Sequence, residues 1–157
     1  ELHLVFAGGP AQLKPEDLEA EARAAGIGSR LHLVGRVEDP LHWAAGFDVA
    51  VIASTGSEAI CRSALEYLSV GTPVIATRMN AVAEVVTPEV GMVVPPENPA
   101  ALAQALSRLR DDPALVKSLR AAGPRHITAN YRLEDFAART AAVYREVLAA
   151  RVGAATR

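Results

Sequence analysis

The sequence predicts an α/β fold: a doubly wound parallel sheet followed by C-terminal helices. Three observations carry that expectation. Short, β-rich apolar runs alternate with segments of helical period, and the runs are hydrophobic almost without interruption, as strands covered on both faces are. After Pro99 the strands stop while helical segments continue. Parallel neighbours need crossover connections, and right-handed crossovers place helices on both sides of a sheet.

"LHLVFAG" (residues 2–8) reads as the first strand. "PEDLEAEARAAG" (15–26) reads as a helix opened by Pro15, whose missing N–H is harmless in a first turn, and closed by Gly26. "LHLVG" (31–35) is the second strand, "DPLHWAAG" (39–46) a short helix and "DVAVIAS" (48–54) the third strand. "ICRSALEYLSVG" (60–71) has helical period, "PVIAT" (73–77) and "GMVV" (91–94) are the last two strands, and "AVAEVV" (81–86) is a helix between them. "PAALAQALSRLRDDP" (99–113), "ALVKSLRAAG" (114–123) and "LEDFAARTAAVYREVLAARV" (133–152) then follow as helices, entered at Asn98-Pro99 and Asp112-Pro113 in the first two cases. Leu102, Leu106 and Leu109 share one face, as do Phe136, Thr140, Val143, Tyr144 and Val147, ready to pack on the sheet or bridge to another domain.

With 157 residues, half of them hydrophobic, the chain has enough apolar surface for a core of its own. A net charge of −2, with acids and bases interspersed, provides no basic stripe for a nucleic-acid backbone. The lone Cys61 excludes an internal disulfide and suits a packing role. His3, His32, His42 and His126 are scattered without ligand spacing, so no metal is expected. No apolar run approaches the ~20 residues of a membrane span, and no signal pattern opens the chain. The expected location is cytoplasmic, with membrane association through a missing domain as the alternative. A start at "ELHLVFAGG", without methionine and straight into a strand, suggests a piece of a longer protein.

Chemistry concentrates around "STGSEAICRSALEYLS" (54–69), where two readings compete. On a helix starting at Glu58, Arg62, Glu66 and Ser69 continue a polar stripe opposite Ile60, Cys61, Ala64, Leu65 and Leu68. Its i,i+4 pairs, and the capping-box spacing of Thr55 to Glu58, make a sufficient structural account. Position in the fold argues for a ligand instead. In open parallel sheets, ligands collect beyond the carboxyl ends of strands, where the N–H groups of a helix start, here 59–62, suit a phosphate or diphosphate. A carboxylate beside such a site accepts hydrogen bonds from neighbouring sugar hydroxyls.

Glu58 to Glu66 matches the E-x7-E signature of retaining glycosyltransferases with the GT-B fold, and the surroundings resemble the Rossmann-like donor-binding (C-terminal) domain of glycosyltransferase family 4. "LVFAGGP", "RLHLVGRV", "FDVAVIAST", "EYLSVGTPVIAT", "AEVV", "GMVVPPENPAALAQAL" and "YRLEDFAARTAAVYREVL" match that family's segments in order and nearly end to end. The resemblance implies that Glu66 holds the ribose hydroxyls of a nucleotide-sugar (UDP-, GDP- or ADP-sugar) and that Glu58 holds the transferred sugar beside its anomeric carbon. It further implies amides of Ala59, Ile60, Cys61 and Arg62 at the sugar or diphosphate, Arg36 and Val37 at the nucleobase, and Gly8 in a turn near the cleft. Transfer with retention, without metal or cofactor, is the implied reaction. Residues 1–128 are then the donor-binding domain, lacking its first strand-helix unit, and 129–157 a C-terminal helix with a frayed tail.

The chain departs from the family in three places. Ala59 and Cys61 stand where it usually has glycines, and "MNAVAE" (79–84) replaces a glycine-bearing loop. The family's Arg and Lys for the diphosphate, and its acceptor domain, precede the strand that opens this chain, so the expectation is weak donor binding and no turnover by these residues alone. A non-hydrolysing nucleotide-sugar epimerase, suggested by "PVIATR", and a non-catalytic nucleotide-sugar-binding module are the alternatives.

Overall fold

A computed structural model describes residues 2–9, 14–56 and 61–155. The chain divides into two compact units, Glu1–Gly46 and Phe47–Arg157.

In the first unit, strand β1 (Leu4–Ala7) pairs in parallel with β2 (Leu31–Gly35), Leu4 opposite Leu31 and Phe6 opposite Leu33. Helix α1 (Pro15–Ala24) makes the crossover, with Pro15 at its first position as expected. Gly26, at φ 70°, ends it in the left-handed conformation that glycine adopts without penalty, and the Ile27 N–H donates to Ala22 at 2.8 Å. A second helix, α2 (Pro40–Gly46), completes the unit. Cover on both faces of β1 is not realised. Leu4 and Phe6 are 38% and 42% exposed, and Ala22 and Ala44 are the buried residues of the two helices. Two short strands and two short helices bring together too little apolar surface to close a core.

In the second unit, β3 (Ala50–Ile52), β4 (Val74–Thr77) and β5 (Gly91–Val94) form a parallel sheet in that order. Here the doubly wound arrangement is explicit. Side chains alternate along β4: Val74 and Ala76 enter one cluster with Ala64 and Leu68 of α3 (Arg62–Ser69) and Val82 and Val85 of α4 (Val82–Val85). Ile75 enters another with Ala105 and Leu109 of α5 (Pro99–Asp111) and Leu119 of α6 (Pro113–Asn130). All four residues of β4 are buried, as a central strand covered on both faces requires.

The helix entries follow local chemistry. Asn98 Oδ1 accepts from the Ala101 N–H at 3.0 Å and Asp112 Oδ1 from the Leu115 N–H at 2.9 Å, each followed by a proline at the first helical position. Leu102 and Leu106 join Leu109 on the buried face of α5.

Two boundaries differ from expectation. Helix α3 starts at Arg62, because Cys61 is non-helical (φ −83°, ψ 74°) and its carbonyl receives the first helical N–H groups, from Ala64 at 3.1 Å and Leu65 at 3.4 Å. The capping box expected from Thr55 and Glu58 therefore does not start this helix, and Glu58 itself lies outside the described residues. Helix α6 does not stop at Gly123 but runs through Pro124 to Asn130. Proline leaves the Arg120 carbonyl without its helical donor, and that oxygen lies against Gly71, where a Cβ would come within 3.0 Å. Gly123 has a matching reason: a Cβ there would stand 2.7 Å from the Leu68 carbonyl oxygen, so glycine lets α6 lie directly on α3.

Helix α7 (Leu133–Ala155) continues into the tail expected to fray. Phe136, Val143, Tyr144 and Val147 do share a face, and that face is exposed.

Candidate functional site

In the second unit the site begins where the β3–β4 ladder ends. Ile52 opposite Ala76 is its last pair. One residue on, the Thr77 hydroxyl lies 2.6 Å from the Ser54 carbonyl, to which it donates, and 3.3 Å from that of Ile52. Thr77 is only 7% exposed, so a buried side chain extends the strand pairing past its backbone limit and holds the chain just beyond β3 at Ser54. The sequence reading missed Thr77. Its signal was a hydroxyl closing the apolar run "PVIAT".

Glu58, Ala59 and Ile60 lie outside the described residues. Cys61 is 4% exposed and packs in the cluster of Ala50, Ala64 and Leu68, so its thiol occupies core rather than any ligand space. No hydrogen bond from the side chain of Cys61 caps α3. The N–H groups of Arg62 and Ser63 precede the first intrahelical donors, and the partial positive charge of a helix start gathers there. One turn along, Arg62 Nη2 stands 3.7 Å from Glu66 Oε1, the two side chains being 83% and 45% exposed. The expected stripe is present in α3: Arg62 and Ser69 outward, Glu66 half-buried, Cys61, Ala64 and Leu68 inward. The same packing raises the Tyr67 hydroxyl above the ordinary tyrosine pKa, through burial first and then the negative charge of Glu66.

Beyond β4, "MNAVAE" makes its turn without the family's glycine. Asn80 takes the left-handed conformation (φ 39°), which asparagine tolerates better than other side chains.

In the first unit, Gly8, Arg36 and Val37 come together at the carboxyl end of the β1–β2 ladder. The Gly8 N–H donates to the Gly35 carbonyl at 2.7 Å, Gly35 turns the chain at φ 67°, Arg36 is exposed and Val37 half-buried. Among the described residues no three His, Cys, Asp or Glu side chains gather as a metal site, and no helix is long and apolar enough to cross a membrane. A cavity of about 360 Å³ in the second unit is flanked by Arg78, which directly follows the strand "PVIAT" where a site residue could sit, and by Arg108; Cys61, Arg62 and Glu66 do not line it.

Comparison with known proteins adds a family. Residues 1–112 match the family model described as glycosyl transferases group 1. The lipopolysaccharide core biosynthesis mannosyltransferase LpcC of Rhizobium leguminosarum bv. viciae is 34% identical over 85% of this chain and 38% of its own length. D-inositol 3-phosphate glycosyltransferase 1 of Catenulispora acidiphila is 31% identical over 94% of this chain and 36% of its own. The chain thus spans less than two-fifths of either relative. Among solved structures, sucrose-phosphate synthase from Thermosynechococcus elongatus superposes with a TM-score of 0.80 at 28% identity, over 94% of this chain and 39% of that one. The C-terminal domain of a group 1 glycosyltransferase (LpcC) from Francisella tularensis superposes with a TM-score of 0.67 at 27% identity, over 75% of this chain and 62% of that one.

Proposed function

The chain belongs to the glycosyl transferases group 1 family, and from that premise we propose that it is the donor-binding half of a retaining, metal-independent glycosyltransferase that moves a sugar from a nucleotide-sugar to an acceptor hydroxyl. Family membership sets the epimerase reading aside. The observation that carries the proposal is the start of α3, where the N–H groups of Arg62 and Ser63 precede the first intrahelical donors and a carboxylate stands one turn along, while a buried hydroxyl ties the end of β4 to Ser54 just beyond β3.

The helix N-terminus offers N–H donors and partial positive charge to the diphosphate, whose charge grows as it leaves. Glu66 accepts from the ribose hydroxyls, and Arg62, tied to it only at 3.7 Å and largely exposed, is free to turn towards the phosphates. Glu58 takes the hydroxyls of the transferred sugar, and Arg36, Val37 and Gly8 the nucleobase end. The packing of Cys61 into the core favours this reading over a non-catalytic module, because the replacement of a glycine there adds no bulk on the ligand side. The chain spans less than two-fifths of the length of these relatives, and the proposal expects weak donor binding and no turnover by these residues alone.

The test is a titration of the chain with UDP-, GDP- and ADP-hexoses, followed by amide NMR. Millimolar binding with shifts at Cys61, Arg62 and Ser63 is expected. Micromolar affinity would show the phosphate site misplaced. In an enzyme carrying this chain with its acceptor domain, Glu58→Gln and Glu66→Gln should each cripple transfer; full activity in both would end the assignment.

A further inference from the structure

β5 is an edge strand, paired with β4 on one side only. Beside it lies the cavity of about 360 Å³, near the lower end of the ~300–1,000 Å³ range of small-molecule sites. Met92 and Val93 of β5, Val86 beyond α4, and Leu115 and Leu119 of α6 give it an apolar wall. Among the described residues its charged lining is Arg78, directly after β4, and Arg108 on α5.

The charge is uncompensated. Among the described residues no acidic side chain lines the cavity, and neither arginine forms an ion pair with another of them. The acids nearest Arg108 in sequence are engaged elsewhere: Asp111 with Arg110 at 2.7 Å, and Asp112 in capping α6. An apolar hollow edged by unpaired guanidinium groups suits a ligand with both characters, since each planar fork binds two oxygens of a carboxylate or phosphate while the wall removes an apolar body from water.

We propose that this cavity is a second binding site, for a small amphipathic anion: an alkyl or aryl body carrying one phosphate or carboxylate. The proposal does not depend on the donor reading. β4 separates β5 from β3, and among the described residues Cys61, Arg62 and Glu66 do not line the cavity.

Octyl phosphate below its micelle concentration is the probe, with inorganic phosphate as head alone and 1-octanol as body alone, each titrated into the chain and followed by amide NMR. Octyl phosphate should shift Gly91, Met92, Val93 and Leu115, and each half-probe should bind at least roughly ten-fold more weakly, about 1.4 kcal/mol. Both arginines are exposed, so replacing them should leave the fold intact. The Arg78→Gln, Arg108→Gln double variant should lose at least roughly ten-fold in affinity, and the corresponding double lysine variant should stay within a few-fold of the original. Octanol binding as tightly as octyl phosphate, shifts that map away from β5, or undiminished binding by the glutamine variant would each overturn the proposal. The native-chain arms decide the matter even if a variant fails to fold.

Discussion

The Thr77 hydroxyl donates to the Ser54 carbonyl at 2.6 Å, one residue past the last backbone pair between β3 and β4. That bond joins β4, buried along its whole length, to the chain just beyond β3, beside the proposed donor site. Thr77→Val keeps the shape and removes the donor, leaving a carbonyl facing a methyl group. The expected loss is about 1–3 kcal/mol of unfolding free energy in urea, with most of it recovered by Thr77→Ser. A valine variant as stable as the original would show that the hydroxyl is dispensable.

Gly123 presents two opposed effects. Alanine in a helix interior gains about 1 kcal/mol over glycine. Its methyl, however, would stand 2.7 Å from the Leu68 carbonyl oxygen, where backbone and not a flexible side chain must yield. Overpacking of this kind costs about 1–3 kcal/mol, so Gly123→Ala should lower the melting temperature measured by circular dichroism; an unchanged or higher value would show that α3 and α6 do not pack this closely.

Glu66→Gln separates stability from binding. An exposed i,i+4 pair at 3.7 Å contributes less than about 0.5 kcal/mol, so the variant should unfold at nearly the same urea concentration as the original. Donor-induced amide shifts at Cys61 to Ser63 should nonetheless disappear. Unchanged shifts would return Glu66 to the role of a surface charge.

Tyr67 makes the alkaline limb of stability predictable in sign. Burial, and secondarily Glu66, raise its folded pKa above the ordinary value of about 10. The unfolded chain therefore ionises first. The stabilising contribution is fully present below the unfolded value and is lost as pH rises through the folded one. Tyr131 is raised too, by burial and then by Glu84, so absorbance at the phenolate band should show a step above the ordinary tyrosine range that Tyr67→Phe reduces rather than abolishes, and the variant's stability should fall less steeply with alkali.

The legible parts of the site were those tied to sequence spacing. Glu66 and Arg62 stand one turn apart with Cys61, Ala64 and Leu68 turned inward, as helical period demands. Thr77 was illegible because its partner, Ser54, lies 23 residues away and becomes a neighbour only when β3 and β4 pair.

By itself the sequence determined the alternation of strands and helices and the punctuation at Pro15, Asn98 and Asp112. Each of these depends on atoms within a few residues, so the local chain contains its own reason. Tertiary structure alone decided that α3 starts at Arg62, that α6 survives Gly123 and Pro124, and that β1 stays exposed while β4 is buried on both faces. Those outcomes turn on contacts between segments far apart in sequence. A glycine that reads as a helix end becomes a point of close approach once another backbone lies against it.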